Sequence, residues 1–419
     1  MGLDVTIWPY LPSTVPGPIQ SSKSCSPGAK PSSIRKRPLE LDGYRCFRAF
    51  VASVGPLEVI AGANGSGKSA PFEFLKWLRE STLHGIPPEI VTGPGGRAIF
   101  HRPGPDRFSW SLQIETSGHP LSYDAAVLGP RGQVAVSYEK AVGKVQMPDM
   151  VESIDLLDLK AGKGSIKDWD SITLRNDDLV LPPNRLGIGA IVSPSYSHLY
   201  KLKEFIQDWR FYDAGSIDTE RIRRPVPIEQ DPILREDGGN LSAVLSYLLT
   251  EHPARFEQLQ IHLRSVIPGF QRLSVKARGA PGEMIAFWTE DSVDEPLSLA
   301  DLSDGTLRML MWTTLCLHPK PPGLVCLDEP EQGLHPRALP LLAALIEGLS
   351  ENTQVFVATH SSYFLRQFPF ESLAVMRKEG GASRWLKPAN SAVLRSALDE
   401  FGLDEVETMH HTDELEALS

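Results

Sequence analysis

The chain has 419 residues, 41% hydrophobic and 22% charged, with 42 Lys+Arg against 52 Asp+Glu and a formal net charge of −10. Such a composition is globular and long enough for two or three folding units, which excludes a fibrous or wholly disordered chain. The acidity excludes a generally basic nucleic-acid coat and leaves a local patch as the only route to DNA. No apolar stretch reaches the ~18–20 residues of a membrane span, and the N-terminus lacks a secretory pattern. Four cysteines (Cys25, Cys46, Cys316, Cys326) without metal-type spacing fit a reducing compartment. A soluble cytoplasmic protein with no membrane partner is therefore expected.

In chain order, residues 1–37 are rich in Pro, Ser and Lys and carry Lys23, Lys30, Arg35, Lys36 and Arg37 against Asp4. They are expected to form a disordered basic arm. Order is expected from about Leu39, with LEL and then YRCF as strand. LEVIA (57–61) is an apolar strand running into a glycine-rich turn, and PFEFLKWLREST from Pro71 has the apolar spacing of a helix face. From about 97 to 140, FSWSLQIE and QVAVSYEK alternate as antiparallel hairpins do. Roughly 141–295 is mixed, with helical stretches HLYKLKEFIQDW and NLSAVLSYLLTEHPARFEQLQIHL but no sustained heptad, so a long coiled coil is excluded. TLRMLMWTTLCL then reads as helix. GLVCL (323–327) and QVFVAT (354–359) are continuous apolar runs of the kind buried on both faces of a parallel sheet. RALPLLAALIEGLS between them completes a βαβ unit. Residues 391–419 hold eight acids against Arg395 and read as a solvated acidic tail.

Chemistry concentrates in a few places. Gly62-Ala63-Asn64-Gly65-Ser66-Gly67-Lys68-Ser69 matches G-x-x-x-x-G-K-S. Glycines let successive N–H groups turn inward around an anion, and the following helix adds its positive end. Lys68 would reach the β- and γ-phosphates and Ser69 would hold Mg²⁺, which names ATP and Mg²⁺ as cofactors. Pro71 falls in the first helical turn, where a missing N–H costs little. Asp328 and Glu329 close the strand LVCL, the end at which open α/β sheets bind ligands. Asp328 would serve the metal shell and Glu329 would orient or deprotonate the attacking water, with Glu331 next in line. His360 ends the next apolar strand and could donate to a γ-phosphate, although packing or capping explains a histidine there as well. Ser303 and Asp304 in LSDGT (302–306) are good helix caps; alternatively Ser303 and that helix N-terminus face a phosphate.

Taken together and in order, Gly62–Ser69, LSDGT, LVCLDEPE, GLHP and ATHS resemble an ABC-type ATPase head, more narrowly the RecF, SMC and OLD-like standalone ATPases of AAA type. YRCFRAF is similar to that family's N-terminal strand motif, and WRFYDAG (209–215) and DGGNLSAVLSYL (237–248) resemble its middle region. The resemblance covers roughly residues 38–390. It implies an α/β P-loop NTPase with a mixed, largely parallel core sheet, an antiparallel β-subdomain and an inserted mixed α/β arm over about 141–295. It also implies a homodimer formed on ATP, in which Ser303 and Gly305 act on ATP held by Lys68 of the other subunit and His335 lies near the seam. The role implied is a switch in DNA maintenance or anti-phage defence, or else a regulator of a separately encoded effector protein that does not itself bind DNA. Arg221, Arg223 and Arg224, then Lys276 and Arg278, are the best basic clusters for DNA contact. Gln113 is a poor candidate for the lid glutamine, and Tyr44 and Phe47 suit core packing better than adenine contact.

Overall fold

The computed structural model describes residues 37–86, 99–116, 119–129, 135–146, 151–169, 174–291 and 293–390. The arm expected over 1–37 lies outside them except for Arg37, and the acidic tail expected over 391–419 lies wholly outside. β1 (Arg37–Asp42), β2 (Phe50–Val54) and β3 (Leu57–Ala61) precede α1 (Ala70–His84). An antiparallel run follows: β4 (Arg107–Thr116), β5 (His119–Leu128), β6 (Ala135–Gln146), β7 (Val151–Lys160), β8 (Lys163–Trp169) and β9 (Leu174–Val180). The chain continues through α2 (Ser197–Gln207), β10 (Arg210–Asp213), β11 (Val226–Pro227), α3 (Leu241–Glu251) and α4 (Pro253–Val266). Then come β12 (Phe270–Ala277), β13 (Glu283–Glu290), β14 (Leu297–Ser298) and α5 (Asp304–Cys316). The last stretch holds β15 (Leu324–Asp328), α6 (Leu339–Ser350), β16 (Gln354–Ala358), β17 (Leu373–Glu379) and β18 (Ala382–Leu386).

One sheet runs β10-β15-β16-β3-β17-β18, parallel throughout except for the last pair. Side chains alternate across its strands, and both faces are buried, which is why LVCL and VFVA read as unbroken apolar runs. Cys326, Phe356 and Ile60 face a core shared with α1, α2 and the antiparallel sheet. Val325, Leu327, Val355, Val357 and Val59 face the other way, against Leu245, Leu259, Trp312, Leu342 and Ile346 of α3 to α6. The second sheet runs β2-β1-β4-β5-β6-β7-β8-β9, and its inner face meets α1 through edge-to-face packing of Trp77 on Phe108 at 5.0 Å. Among the described residues no helix is long and apolar enough to cross a membrane.

Two expectations need correction. The insert over roughly 141–295 is not one body. β6 to β9 carry the antiparallel sheet on to Val180, and β10 returns to the edge of the parallel sheet with Asp213 opposite Asp328. Only β11 to β14 with α3 and α4 form a separate layer, which packs on α5. Tyr44–Phe47 is likewise not strand: Arg45 and Ala49 take left-handed backbone (φ 46 and 48), so this segment is a loop joining β1 to β2.

Candidate functional site

The site lies where β3, β10, β15 and β16 end on the same edge of the parallel sheet. β3 delivers the chain into the glycine loop. A Cβ at Gly67, whose φ is +97, would lie 2.7 Å from both Cys46 Sγ and Ser383 Oγ, so the loop is wedged between β18 and the loop after β1. Ser383 Oγ donates to the Ser66 carbonyl at 2.6 Å and Ser383 N to the Cys46 carbonyl at 2.8 Å, closing that clamp. Inside the loop, the buried Lys68 ammonium donates to the carbonyls of Gly62 (2.5 Å) and Ala63 (3.0 Å). Ser66 Oγ is buried with no hydrogen-bond partner among the described residues. Ser69 occupies the N-cap position of α1, yet its hydroxyl makes no capping bond; it sits close enough to Asp328 to lower that carboxyl's pKa.

Asp328 is half-buried. Burial pushes its carboxyl above the usual range; Asp213 and Glu329 push the same way, while Ser69 and His360 pull it down. Glu329 follows in a left-handed conformation (φ 49), held by its N–H donating to the Ala358 carbonyl at 2.8 Å. A non-glycine residue there costs roughly 1–2 kcal/mol, strain of the kind found at functional sites. It turns Glu329 toward His360, whose Nε2 lies 3.6 Å from Glu329 Oε1 with both side chains about two-fifths exposed (41% and 38%). Behind them Glu331 Oε1 accepts from the Thr359 hydroxyl, and burial raises the Glu331 pKa. Asp213, on the neighbouring strand end, accepts from Gly215 N and Ser216 Oγ, each at 2.8 Å.

The LSDGT loop opens α5. Ser303 is exposed and caps the helix, accepting from Thr306 N at 3.3 Å and meeting Thr306 Oγ1 at 2.9 Å. Asp304 is ion-paired with Arg223 at 2.7 Å, which holds its carboxyl below the usual range. Gly305 is set against the GLHP turn: a Cβ there would lie 2.8 Å from the Gly333 carbonyl. From the next turn of α5, Arg308 donates to the Ala214 carbonyl at 2.6 Å, adjoining Asp213. His335 accepts from Arg337 N at 3.2 Å and caps a turn.

Gly62 to Ser69, Asp328, Glu329 and His360 thus meet at one sheet edge, whereas Ser303 and Gly305 stand on a separate helix start. Other candidates lie elsewhere. Tyr44 and Phe47 are core residues, Tyr44 packed edge-on against Phe74 and Phe108 at 5.4 Å each. Gln113 is on β4 and lines a small apolar cavity with Leu39, Phe205 and Trp209. Arg221 pairs with Asp237, and Lys276 and Arg278 lie over the Phe287 ring at 4.8 and 5.6 Å. Asp213 and Arg308 were not singled out from sequence, Thr359 only as part of ATHS, and Arg223 only as a basic residue for DNA contact. For Asp213 a signal existed in WRFYDAG; for the others the partners are too distant along the chain.

The residues present fit a Mg²⁺–nucleotide group. The Asp328–Ser69 pair is the oxygen donor set such a cation takes, and the orphaned Ser66 hydroxyl and the glycine cradle suit an anion. Two solved structures are similar in fold. An "SmcHead bound to the C-winged helix domain of ScpA" is 13% identical, with a TM-score of 0.51 over 83% of this chain and 96% of that one. The Smc head domain with an extended coiled coil bound to the C-terminal domain of ScpA, derived from Pyrococcus furiosus, is 11% identical, with a TM-score of 0.50 over 86% and 98%. No curated protein matches the chain. The fold is therefore a P-loop NTPase fold of the ABC/SMC-head type. A family model spans residues 58–366, and the chain belongs to that AAA-type family, described as "AAA domain, putative AbiEii toxin, Type IV TA system".

Proposed function

We propose that this protein binds ATP with Mg²⁺, hydrolyses it, and uses it to pair two heads. The single observation that carries this reading is the convergence of Lys68, Ser69, Asp328 and Glu329 on one sheet edge, with Ser69 beside Asp328. Lys68 exchanges its loop carbonyls for β- and γ-phosphate oxygens. Ser69 and Asp328 hold the metal, which when bound neutralises charge on the phosphates. Glu329 orients a water and takes its proton, and His360 holds the Glu329 side of the γ-phosphate pocket. Ser303 and the start of α5 complete the site of a second copy, a role supported by their exposure and by the positive end of a 13-residue helix.

The pathway reading is a switch in DNA maintenance or anti-phage defence. A second reading, control of a separately encoded effector without DNA contact, is favoured by the basic residues: Arg221 and Arg223 are engaged in ion pairs, and Lys276 and Arg278 cover Phe287. The solved Smc heads similar in fold carry a bound ScpA domain, which suits a partner protein. Phosphate release from ATP by the purified protein, with and without Mg²⁺, tests the enzymatic reading. No Mg²⁺-dependent release would reject it. Salt-dependent binding to duplex DNA would favour the first pathway, and its absence together with a co-purifying partner the second.

A further inference from the structure

Glu331 has no part in the hydrolytic scheme above, yet its buried carboxyl is tied to the strand end that carries His360. Its Oε1 accepts from Thr359 Oγ1, and the same Thr359 oxygen accepts from Ser361 N at 2.9 Å. With one proton on that hydroxyl, the chain has a fixed direction: Ser361 N–H to Thr359 O–H to Glu331 Oε1. Thr359 N donates to the Ile60 carbonyl at 3.1 Å, on the strand that delivers the phosphate loop, and Ser361 Oγ caps the following helical turn at Phe364 N (3.1 Å). His360 is thus flanked by two pinned residues, and its ring faces Glu329. Glu331 Oε2 is buried and meets no hydrogen-bond partner among the described residues, so the interaction with Thr359 is what anchors this carboxyl.

We infer that Glu331 is a positioning residue: through the Thr359 hydroxyl it fixes the peptide that carries His360 opposite Glu329. This rests on the reading of Glu329 as the hydrolytic residue. The task requires a hydrogen-bond acceptor at position 331 and does not require a negative charge. Burial pushes the Glu331 carboxyl above its usual range, and Oε1 can accept whether or not the group carries its proton.

Glu331→Ala, Glu331→Gln and Thr359→Val separate the possibilities. Glu331→Ala is expected to lower kcat about tenfold or more while ATP affinity stays within about twofold, since small misplacement of a reacting group is costly. Glu331→Gln keeps the acceptor and should stay within about threefold of wild type. Thr359→Val, nearly isosteric, should reproduce the alanine variant, and the double variant should lose no more than either single one. Hydrogen exchange of peptides covering 359–361 gives a readout independent of turnover: faster in Glu331→Ala and Thr359→Val, unchanged in Glu331→Gln. If wild type hydrolyses no ATP, the hydrolytic reading fails, and the exchange pattern alone decides the positioning role. Unaltered exchange in Glu331→Ala overturns the inference. So does a Gln variant as impaired as the alanine one, or additive losses in the double variant.

Discussion

The glycine loop Gly62–Ser69 and the LSDGT loop carry similar sequence signals, glycine and serine before a helix, yet they are built in opposite ways. The first is enclosed: Ser66 and Lys68 are 4% and 6% exposed, and Gly67 is gripped between Cys46 and Ser383. The second is open: Ser303 faces solvent, and Asp304, 61% exposed at its side chain, is tethered to Arg223. An enclosed loop is complete within one chain, whereas an exposed helix start, its serine occupied only in capping, has a free side for a second body. Within the chain, Arg308 on α5 holds the carbonyl next to Asp213, and Asp213 stands opposite Asp328.

The contrast can be broken most forcefully at Glu329. Glu329→Gln should keep ATP and Mg²⁺ binding but slow single-turnover cleavage by about 10²–10⁴-fold, because the amide cannot take the water's proton. A rate equal to wild type would move the base elsewhere. Lys68→Ala comes next, with loss of charge-assisted contacts of about 1.5–3 kcal/mol each lowering ATP affinity about a hundredfold; calorimetry showing unchanged affinity would refute the enclosed loop as the nucleotide site. On the open side the effects should be smaller. Arg223→Ala removes a partly exposed ion pair worth at most ~1 kcal/mol, so ATP-driven self-association should weaken by no more than about fivefold while affinity for ATP at Lys68 is unchanged.

The smallest effect concerns pH. Asp328 is raised in the folded state, so between its unfolded value, near 3.8, and the higher folded one the native protein binds more protons. Stability contributed by this group therefore falls as pH rises through that window. Asp328→Asn should flatten the slope of Tm against pH from about 4 upward, measured without metal. An identical slope in the variant would show that Asp328 does not titrate there.

What was legible in the sequence is what is local in it. Eight consecutive residues specify the glycine loop, and Asp328 and Glu329 sit at the end of the apolar strand that positions them. The βαβ unit from β15 to β16 was equally plain, because burial on both sheet faces leaves unbroken apolar runs. Contacts between distant positions were not legible: Thr359 reaches Glu331 across 28 residues and Arg223 reaches Asp304 across 81. β10 escaped notice because four residues, RFYD, buried at Phe211 and Tyr212 on opposite faces, are too few to show a decisive period. Tyr44–Phe47 misled for the opposite reason: its aromatic residues suit a strand, but burial of Tyr44 against Phe74 and Phe108 and of Phe47 against Phe50 is reached from a loop with left-handed residues at Arg45 and Ala49.

The division into an enclosed half-site and an open one is tested most directly by sedimentation of Glu329→Gln with Mg²⁺ and ATP, ADP or no nucleotide. Trapped triphosphate should bridge Lys68 of one chain and Ser303 of another, so the mass should double with ATP alone. Ser303→Arg on the same background should restore the single-chain mass while ATP still binds. An equal mass under all three conditions would contradict ATP-driven pairing of the two half-sites.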